Sequence, residues 1–397
     1  MTKGPLSGIR VIDLTRILAG PLCTMNLGDM GAEIIKIEQP GRGDDTRGWG
    51  PPFVGGEAAY FLGINRNKRS LTLNLKEERG KEILRALLSE ADVLVENFKS
   101  GTLEGWGFTP EWMKENAPGV VHCAITGYGD QGPKGGMPGY DFLLQAESGL
   151  MSITGEKDGR PIKLGVAIVD VCTGQLAAMT ILAALNSRHD TGRGQRIDLS
   201  LYNTSLSMLI NVASNYLIGG VEPSRYGNGH PNIVPYNDFP CGDGEIALAV
   251  GNDAQFARFA DCVGHPEWAD NELYQSNANR VVNRDDIEEK INNALAKKSA
   301  DEWIALFEAS NIPCSKINKV SEVLDSEQTT INNMVVELDH PSAGNFRTVG
   351  IPYSFSETQA EVNAPPPLLG ADTDDILSEM IGLDADAIAK LHDDGVI

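Results

Sequence analysis

Basic charge is the first thing this chain lacks. It carries 33 Lys and Arg against 55 Asp and Glu, a formal net charge of −22. An acid excess of that size repels phosphate backbones and anionic headgroups, so neither nucleic acid nor a membrane surface is an expected partner. Cysteine is sparse and scattered: Cys23, Cys123, Cys172, Cys241, Cys262 and Cys314 form no C-x-x-C pair and no Cys/His cluster at zinc spacing. That pattern argues against a disulfide framework or a metal site and favours reduced, mostly buried thiols. No stretch approaches 18 uninterrupted apolar residues, so no transmembrane span is expected. The opening "MTKGPLSGIRVIDL" has no basic segment, apolar core and cleavage site in series. The expected location is therefore the cytoplasm. The common nucleotide and hydrolase motifs are missing too. "GYGDQG" does not have the G-x-G-x-x-G spacing, no G-x-x-x-x-G-K-[ST] occurs, and "GVAIVD" is not a G-x-S-x-G elbow.

What is present is an α/β rhythm. With 397 residues, 41% of them hydrophobic, two domains are the natural expectation. "RVIDL", "AEIIKIEQP", "RSLTLNL", "DVLVENF" and "GVVHCAITGYG" read as strands separated by helical patterns. Among the helices, "KEERGKEILRALLSEA" has an apolar stripe at Ile83, Leu84 and Leu87, and "GFTPEWMKENAPG" offers Thr109 as N-cap with Pro110 at the first helical position. Such alternation predicts a Rossmann-like, mostly parallel sheet with helices on both faces. From about residue 221 the texture changes, with the Gly/Pro/Asn-rich "GGVEPSRYGNGHPNIVPYNDFPCGDGE" leading into short strands and helices of a second region.

One carboxylate stands out. In "KLGVAIVDVCTGQLAAMTILAALNS", residues 163–187, Asp170 lies between an apolar run that reads as a buried strand and a run that reads as a helix starting near Thr173. An Asp there is a preferred N-cap. It also falls on a strand-to-helix junction, where open α/β sheets gather their ligands, and a helix N-terminus would favour its ionised, nucleophilic form. Cys172, two residues away, has no basic neighbour in sequence to make a reactive thiolate. Charge points to the other end of the same region: residues 1–100 hold 14 Lys and Arg against 13 Asp and Glu, a neutral quarter in an acidic protein, as a phosphorylated ligand would require.

Over nearly its whole length the chain resembles the class III CoA-transferases, the formyl-CoA transferase and carnitine CoA-transferase family. The matching stretches, in order, are "GIRVIDLTRILAGP", "GAEIIKIEQPGRGDDTR", "NRNKRSLTLNLK", "ADVLVENFKSGTLEGWGF", "ITGYGDQGP", "PGYDFLLQAESGLMSITG", "VAIVDVCTG" and "PPPLLG". The resemblance implies that Asp170 is the nucleophile. It also implies that CoA lies against Leu18 and Ala19, Leu73 and Lys76, and Asn97, Phe98 and Lys99, with Tyr140 near the thioester. CoA would be a substrate, with no prosthetic group and no metal. The implied architecture is an interlocked homodimer: a large domain from residues 1–205 and a returning segment 330–397, and a small domain over 222–325.

Three positions depart from the family, which often has Arg where this chain has Gln39, Gly105 and Pro138. Lys76, Lys99 and the cluster Arg66, Lys68 and Arg69 are the candidates to replace that charge. The run of glycines found in formyl-CoA transferases is missing from "GNGHPNIVPYNDF", which implies a different acyl group. The segments "TRILAGPLCTMNLGDMGAE", "GDDTRGWGPPFVGGE", "NYLIGG" and "GHPNIVPY" look closest to succinyl-CoA:glutarate and related dicarboxylate enzymes. A distal carboxylate needs a cation, for which Arg16, Arg47 and His230 are the candidates, Arg47 being equally readable as a structural ion pair beside Asp44 and Asp45. Two rivals remain. An α-methylacyl-CoA racemase shares the fold but has His in place of Tyr140, and tyrosine, with a pKa of about 10, is a poor base. A CoA-binding protein without catalysis is the other.

Overall fold

The structure, a computed structural model, describes residues 4–397. Its chain groups into two compact units, one of residues 1–148, 165–208 and 326–397, the other of residues 149–164 and 209–325. The expected first stretch, 1–205, is thus interrupted: the excursion 149–164 groups with the second unit.

The first unit is built on six parallel strands: β1 (Arg10–Asp13), β2 (Glu33–Glu38), β3 (Lys68–Thr72), β4 (Val93–Glu96), β5 (Val121–Thr126) and β6 (Arg196–Ser200). Their order across the sheet is β3-β2-β1-β4-β5-β6. This is the doubly wound order with a reversal between β1 and β4, the place where such sheets open a ligand crevice at the strands' carboxyl ends. Period-two alternation decides the two faces. Ile12, Ile35 and Leu94, in register across the three central strands, join a core with Leu84 and Leu87 of α2 (Glu78–Ser89), Met113 of α3 (Pro110–Asn116) and, from the far end of the chain, Ile376 and Ile388. Thr109 caps α3 as expected, accepting the Trp112 N–H with Pro110 at the first position.

Val11, Ile34 and Val93 alternate to the opposite face, which packs against α1 (Ala19–Asp29) and α5 (Ile168–Thr191), the helix that follows the short α4 (Asp141–Glu147). α5 is the one helix among the described residues long and apolar enough to cross a membrane. Part of that apolarity is used against α1, where a Cβ added at Gly174 would lie 2.5 Å from the Ala19 carbonyl oxygen, so glycine permits the two backbones to meet.

In the second unit, antiparallel strands β7 (Tyr236–Pro240), β8 (Glu245–Ala249) and β9 (Cys314–Lys316) pair in the order β9-β8-β7. Phe239 and Ile246 from the sheet and Phe256, Phe259, Ile287, Trp303 and Phe307 from the helices form its core.

The expected strand before Asp170 does not exist. Residues 163–167 have no regular structure, and α5 begins at Ile168 rather than near Thr173. Leu164 and Val166 are exposed, so this apolar run buries nothing that a sheet position would reward, and the sheet's six places are filled by other segments.

Candidate active site

The crevice at the sheet reversal is made by two loops, one leaving β1 and one leaving β4. They are tied by a single side chain. Asn97 Oδ1 accepts the Arg16 N–H at 2.9 Å, and Asn97 Nδ2 donates to the Arg16 carbonyl at 2.7 Å. The next residue, Ile17, has φ 73°, a left-handed conformation rare for a β-branched side chain, and its N–H donates to Asp44 Oδ1 at 3.2 Å.

Beneath these loops lies a buried set of paired charges. Lys36 Nζ donates to Asp44 Oδ2 at 2.9 Å and to the Thr15 carbonyl at 2.8 Å. Lys68 Nζ donates to Asp13 Oδ2 at 3.1 Å, and to the Pro21 carbonyl and Asn65 Oδ1. Burial alone would raise the Asp13 carboxyl, but Lys68 and Lys36 more than offset it and hold the group below its usual range. Lys68 is pushed down to about 8 by burial, against the pull of Asp13.

Two cavities open above this network, and both are walled by Arg16, Phe98 and Lys99. The larger, about 340 Å³, is also lined by Gln39, Arg42, Leu73 and Lys76. The smaller, about 240 Å³, is lined by Ile17, Leu18, Ala19, Asn97, Tyr140 and Asp170. Every residue assigned to CoA by resemblance therefore lines one of two cavities with shared walls, at the carboxyl ends of the strands. Asn97 does so with both ends of its amide bonded to the Arg16 backbone.

Asp170 is the third residue of α5, not its cap. The capping is done across space by Asp141, whose Oδ1 accepts the Val169 N–H at 2.7 Å and the Asp170 N–H at 3.4 Å. A helix N-terminus alone would keep Asp170 ionised. Here burial comes first and the charge of Asp141 second, and together they raise the Asp170 carboxyl to about 7. No salt bridge reaches it among the described residues. It is a carboxylate that titrates near neutrality in a partly dry cavity, basic enough to be a good nucleophile and ionised often enough to act as one. Burial raises the Cys172 thiol, which works against a reactive thiolate.

The remaining candidates divide. Arg16 is half exposed and held by Asp45 Oδ2 at 3.1 Å. Arg47 lines neither cavity. It makes two bonds to Glu38, at 2.7 and 2.8 Å, one to the Pro367 carbonyl, and sits 3.7 Å over the Phe61 ring, so its ion pairs are with Glu38 and, at 3.6 Å, Glu57 and not with the neighbouring aspartates. His230 belongs to the second unit, where its Nδ1 accepts the Asn232 N–H. The proposed replacement cations Arg66, Lys68 and Arg69 are committed elsewhere, to Asp29, to Asp13, and to Glu33 and Glu379 respectively.

Three features escape a reading of the sequence. Arg42, on the larger cavity and paired with Asp45 at 2.6 Å, is hidden in the turn "GRGDD". Asp141 follows Tyr140 in "PGYD" but gives no sign that it caps a helix 27 residues later. Tyr60, whose phenol is raised by burial and by Asp170, Asp141 and Asp44, lies near the same acids without any motif around it.

A profile of the family described as CoA-transferase family III matches residues 6–373. The succinyl-CoA:glutarate CoA-transferase of Mus musculus is 44% identical over 393 residues, covering 99% of this chain and 90% of its own. The succinate–glutarate CoA-transferase of Agrobacterium fabrum is 41% identical, covering 95% and 96%. Among solved structures, a CAIB/BAIF family protein from Brucella suis superposes with a TM-score of 0.83 at 38% identity, covering 96% of this chain and all of that one. With the Rossmann-order sheet, the paired cavities and these relatives together, the chain belongs to CoA-transferase family III and is a CoA-transferase.

Proposed function

We propose that this enzyme moves CoA from succinyl-CoA to glutarate or a related C4–C6 dicarboxylate, with Asp170 as the covalent nucleophile. The observation that carries the reading is a carboxylate raised to about 7, free of salt bridges and facing a cavity that shares its walls with a larger, cation-rimmed one. The printed activities of the mouse and Agrobacterium relatives supply the substrate pair.

Asp170 attacks the succinyl thioester carbon, the C–S bond breaks, and CoA leaves as thiolate, giving a mixed anhydride. The thiolate then attacks the aspartyl carbonyl, releasing succinate and leaving an aspartyl-CoA thioester. The acceptor carboxylate displaces CoA as a second anhydride, and the thiolate attacks the acceptor carbonyl to free the product and Asp170. No net proton moves, so no histidine base is needed, and exclusion of water keeps the thioester energy within the protein. The larger cavity suits the CoA phosphates, with Arg42, Lys76 and Lys99 at its rim, Arg42 filling the place left by Gln39. Arg16, common to both cavities, suits the distal carboxylate.

The working form in this reading is an interlocked cytoplasmic homodimer. Support comes from a run of apolar side chains left open to solvent in the single chain, among them Ile210 at 73%, Leu217 at 78%, Ile218 at 86% and Val221 at 61%. Incubation with succinyl-CoA and hydroxylamine should leave a hydroxamate at position 170. Offered glutarate, other C4–C6 diacids, oxalate, formate and carnitine, the enzyme should prefer a C4–C6 diacid. A preference for oxalate, formate or carnitine would refute the substrate assignment.

A further inference from the structure

We infer that Asn97 is a positioning residue: its side chain holds the Arg16–Ala19 wall of the Asp170 cavity in a strained shape instead of binding CoA. This rests on the reading of that cavity as the site of acyl transfer. Both ends of the amide are turned to one residue, the oxygen accepting the Arg16 N–H at 2.9 Å and the nitrogen donating to the Arg16 carbonyl at 2.7 Å. The main chain of Arg16 is thereby fixed the way a strand partner would fix it. That same Arg16–Ile17 peptide is pinned from its other side, the Ile17 N–H donating to Asp44 Oδ1 at 3.2 Å. Asp44 is itself fully buried and locked by Lys36 and by the N–H and hydroxyl of Thr46. Between this fixed peptide and the start of α1, where the Leu22 N–H donates to the Leu18 carbonyl, Ile17 is held at φ 73°. A β-branched residue leaves that region unless the surroundings over-determine it. The wall is pressed from behind as well, by the approach of Gly174 to the Ala19 carbonyl, one helical turn beyond Asp170 on the same face of α5.

Glycine adopts positive φ without strain, so the idea has a direct test. In Asn97→Ala the loop relaxes, and kcat should fall about 10²-fold, the size of effect that a misplacement near 1 Å produces, while KM for succinyl-CoA changes little. Adding Ile17→Gly to Asn97→Ala should restore much of the lost kcat, because the left-handed turn no longer needs the clamp. Asn97→Asp, which keeps the acceptor for the Arg16 N–H but loses the donor to its carbonyl, should fall between wild type and Asn97→Ala and serves if the alanine variant folds poorly. A wild-type kcat in Asn97→Ala overturns the inference. So does a large rise in KM for succinyl-CoA that Ile17→Gly leaves uncorrected, the mark of a direct CoA ligand. Failure of hydroxylamine to label Asp170 in the wild-type enzyme would instead strike the acyl-transfer reading on which the inference stands.

Discussion

Asp141 and Asp170 face the same helix N-terminus, and only one of them collects its hydrogen bonds. Asp141 accepts the Val169 and Asp170 N–H groups, while Asp170, buried beside it, is raised to about 7. Two carboxylates at one helix end thus sit in different environments, one that caps and one that is left buried without those bonds, the division that the proposed nucleophile requires. With the Asp170 anion as the proposed nucleophile, kcat/KM for succinyl-CoA should climb with pH and level off above an inflection near 7. Asp141→Asn keeps an oxygen for the cap and removes the neighbouring charge. It should move that inflection to lower pH, and an unmoved inflection would show that another group sets it.

The same shift has a cost in stability. A carboxyl raised in the folded state holds its proton there between about 3.8, its ordinary value, and about 7. Over that window the native state binds more protons than the unfolded one, so stability falls as pH rises and the loss is complete above 7. Asp170→Asn removes the ionisable group and should therefore unfold at higher denaturant concentration than wild type at pH 8. The advantage should vanish near pH 4. Urea midpoints across that range measure it, and an equal difference at both pH values would contradict it.

The buried charges under the site run the other way. Asp13 and Asp44 lie below their usual range because nearby lysines outweigh burial, so the stability they contribute is present at neutral pH and is lost as pH falls through their depressed values. Breaking the set from within should be severe. Lys36→Met leaves Asp44 and Asp13 buried with less compensation, and removal of one member of such a pair costs about 3–5 kcal/mol. Calorimetry or urea unfolding of that variant would test it, and a loss under about 1 kcal/mol would indicate that water enters the cluster.

Gly174 offers a packing test separate from charge. Alanine there brings a carbon within 2.5 Å of the Ala19 carbonyl, a contact that backbone on both sides cannot relieve without moving α1 from α5. Overpacking of this kind costs about 1–3 kcal/mol. Because Ala19 and Asp170 wall the same cavity, Gly174→Ala should also lower kcat at temperatures where the protein remains folded.

Much of this was readable from the chain, and the exceptions share a cause. The strands of the large sheet announce themselves by β-branched runs and the α3 start by Thr109 and Pro110; Asp170, singled out by its place in a family pattern, lines the smaller cavity. What failed depended on partners distant in sequence. An apolar run at 163–167 looks like a strand until the sheet has no place for it. Arg66, Lys68 and Arg69 look like free cations until Asp29, Asp13, Glu33 and Glu379 fold against them. Asn97 is recognisable by resemblance as a site residue, but that its amide serves the Arg16 backbone follows only from two loops meeting at the sheet reversal. Local propensity carries no information about such pairings.

Arg16 and Arg42 are both held by Asp45, one on each carboxylate oxygen, yet they line different space. Arg42 reaches only the larger cavity, whereas Arg16 walls both. Removing each should therefore hurt different substrates. Arg42→Ala should raise KM for succinyl-CoA and leave the ranking of acceptor acids unchanged, since it lines only the larger cavity, proposed for CoA. Arg16→Ala should leave a distal carboxylate unpaired, and a hydrogen bond to a charged group is worth about 1.5–3 kcal/mol. Glutarate should then lose about 10- to 100-fold in kcat/KM relative to a monocarboxylate of similar length, such as butyrate, for which Arg16 has nothing to hold. Competition between the two acids, followed by separation of the acyl-CoA products, reads that ratio directly. If Arg16→Ala lowers both acids equally, Arg16 acts on CoA rather than on the acceptor, and the distal carboxylate must find its cation elsewhere.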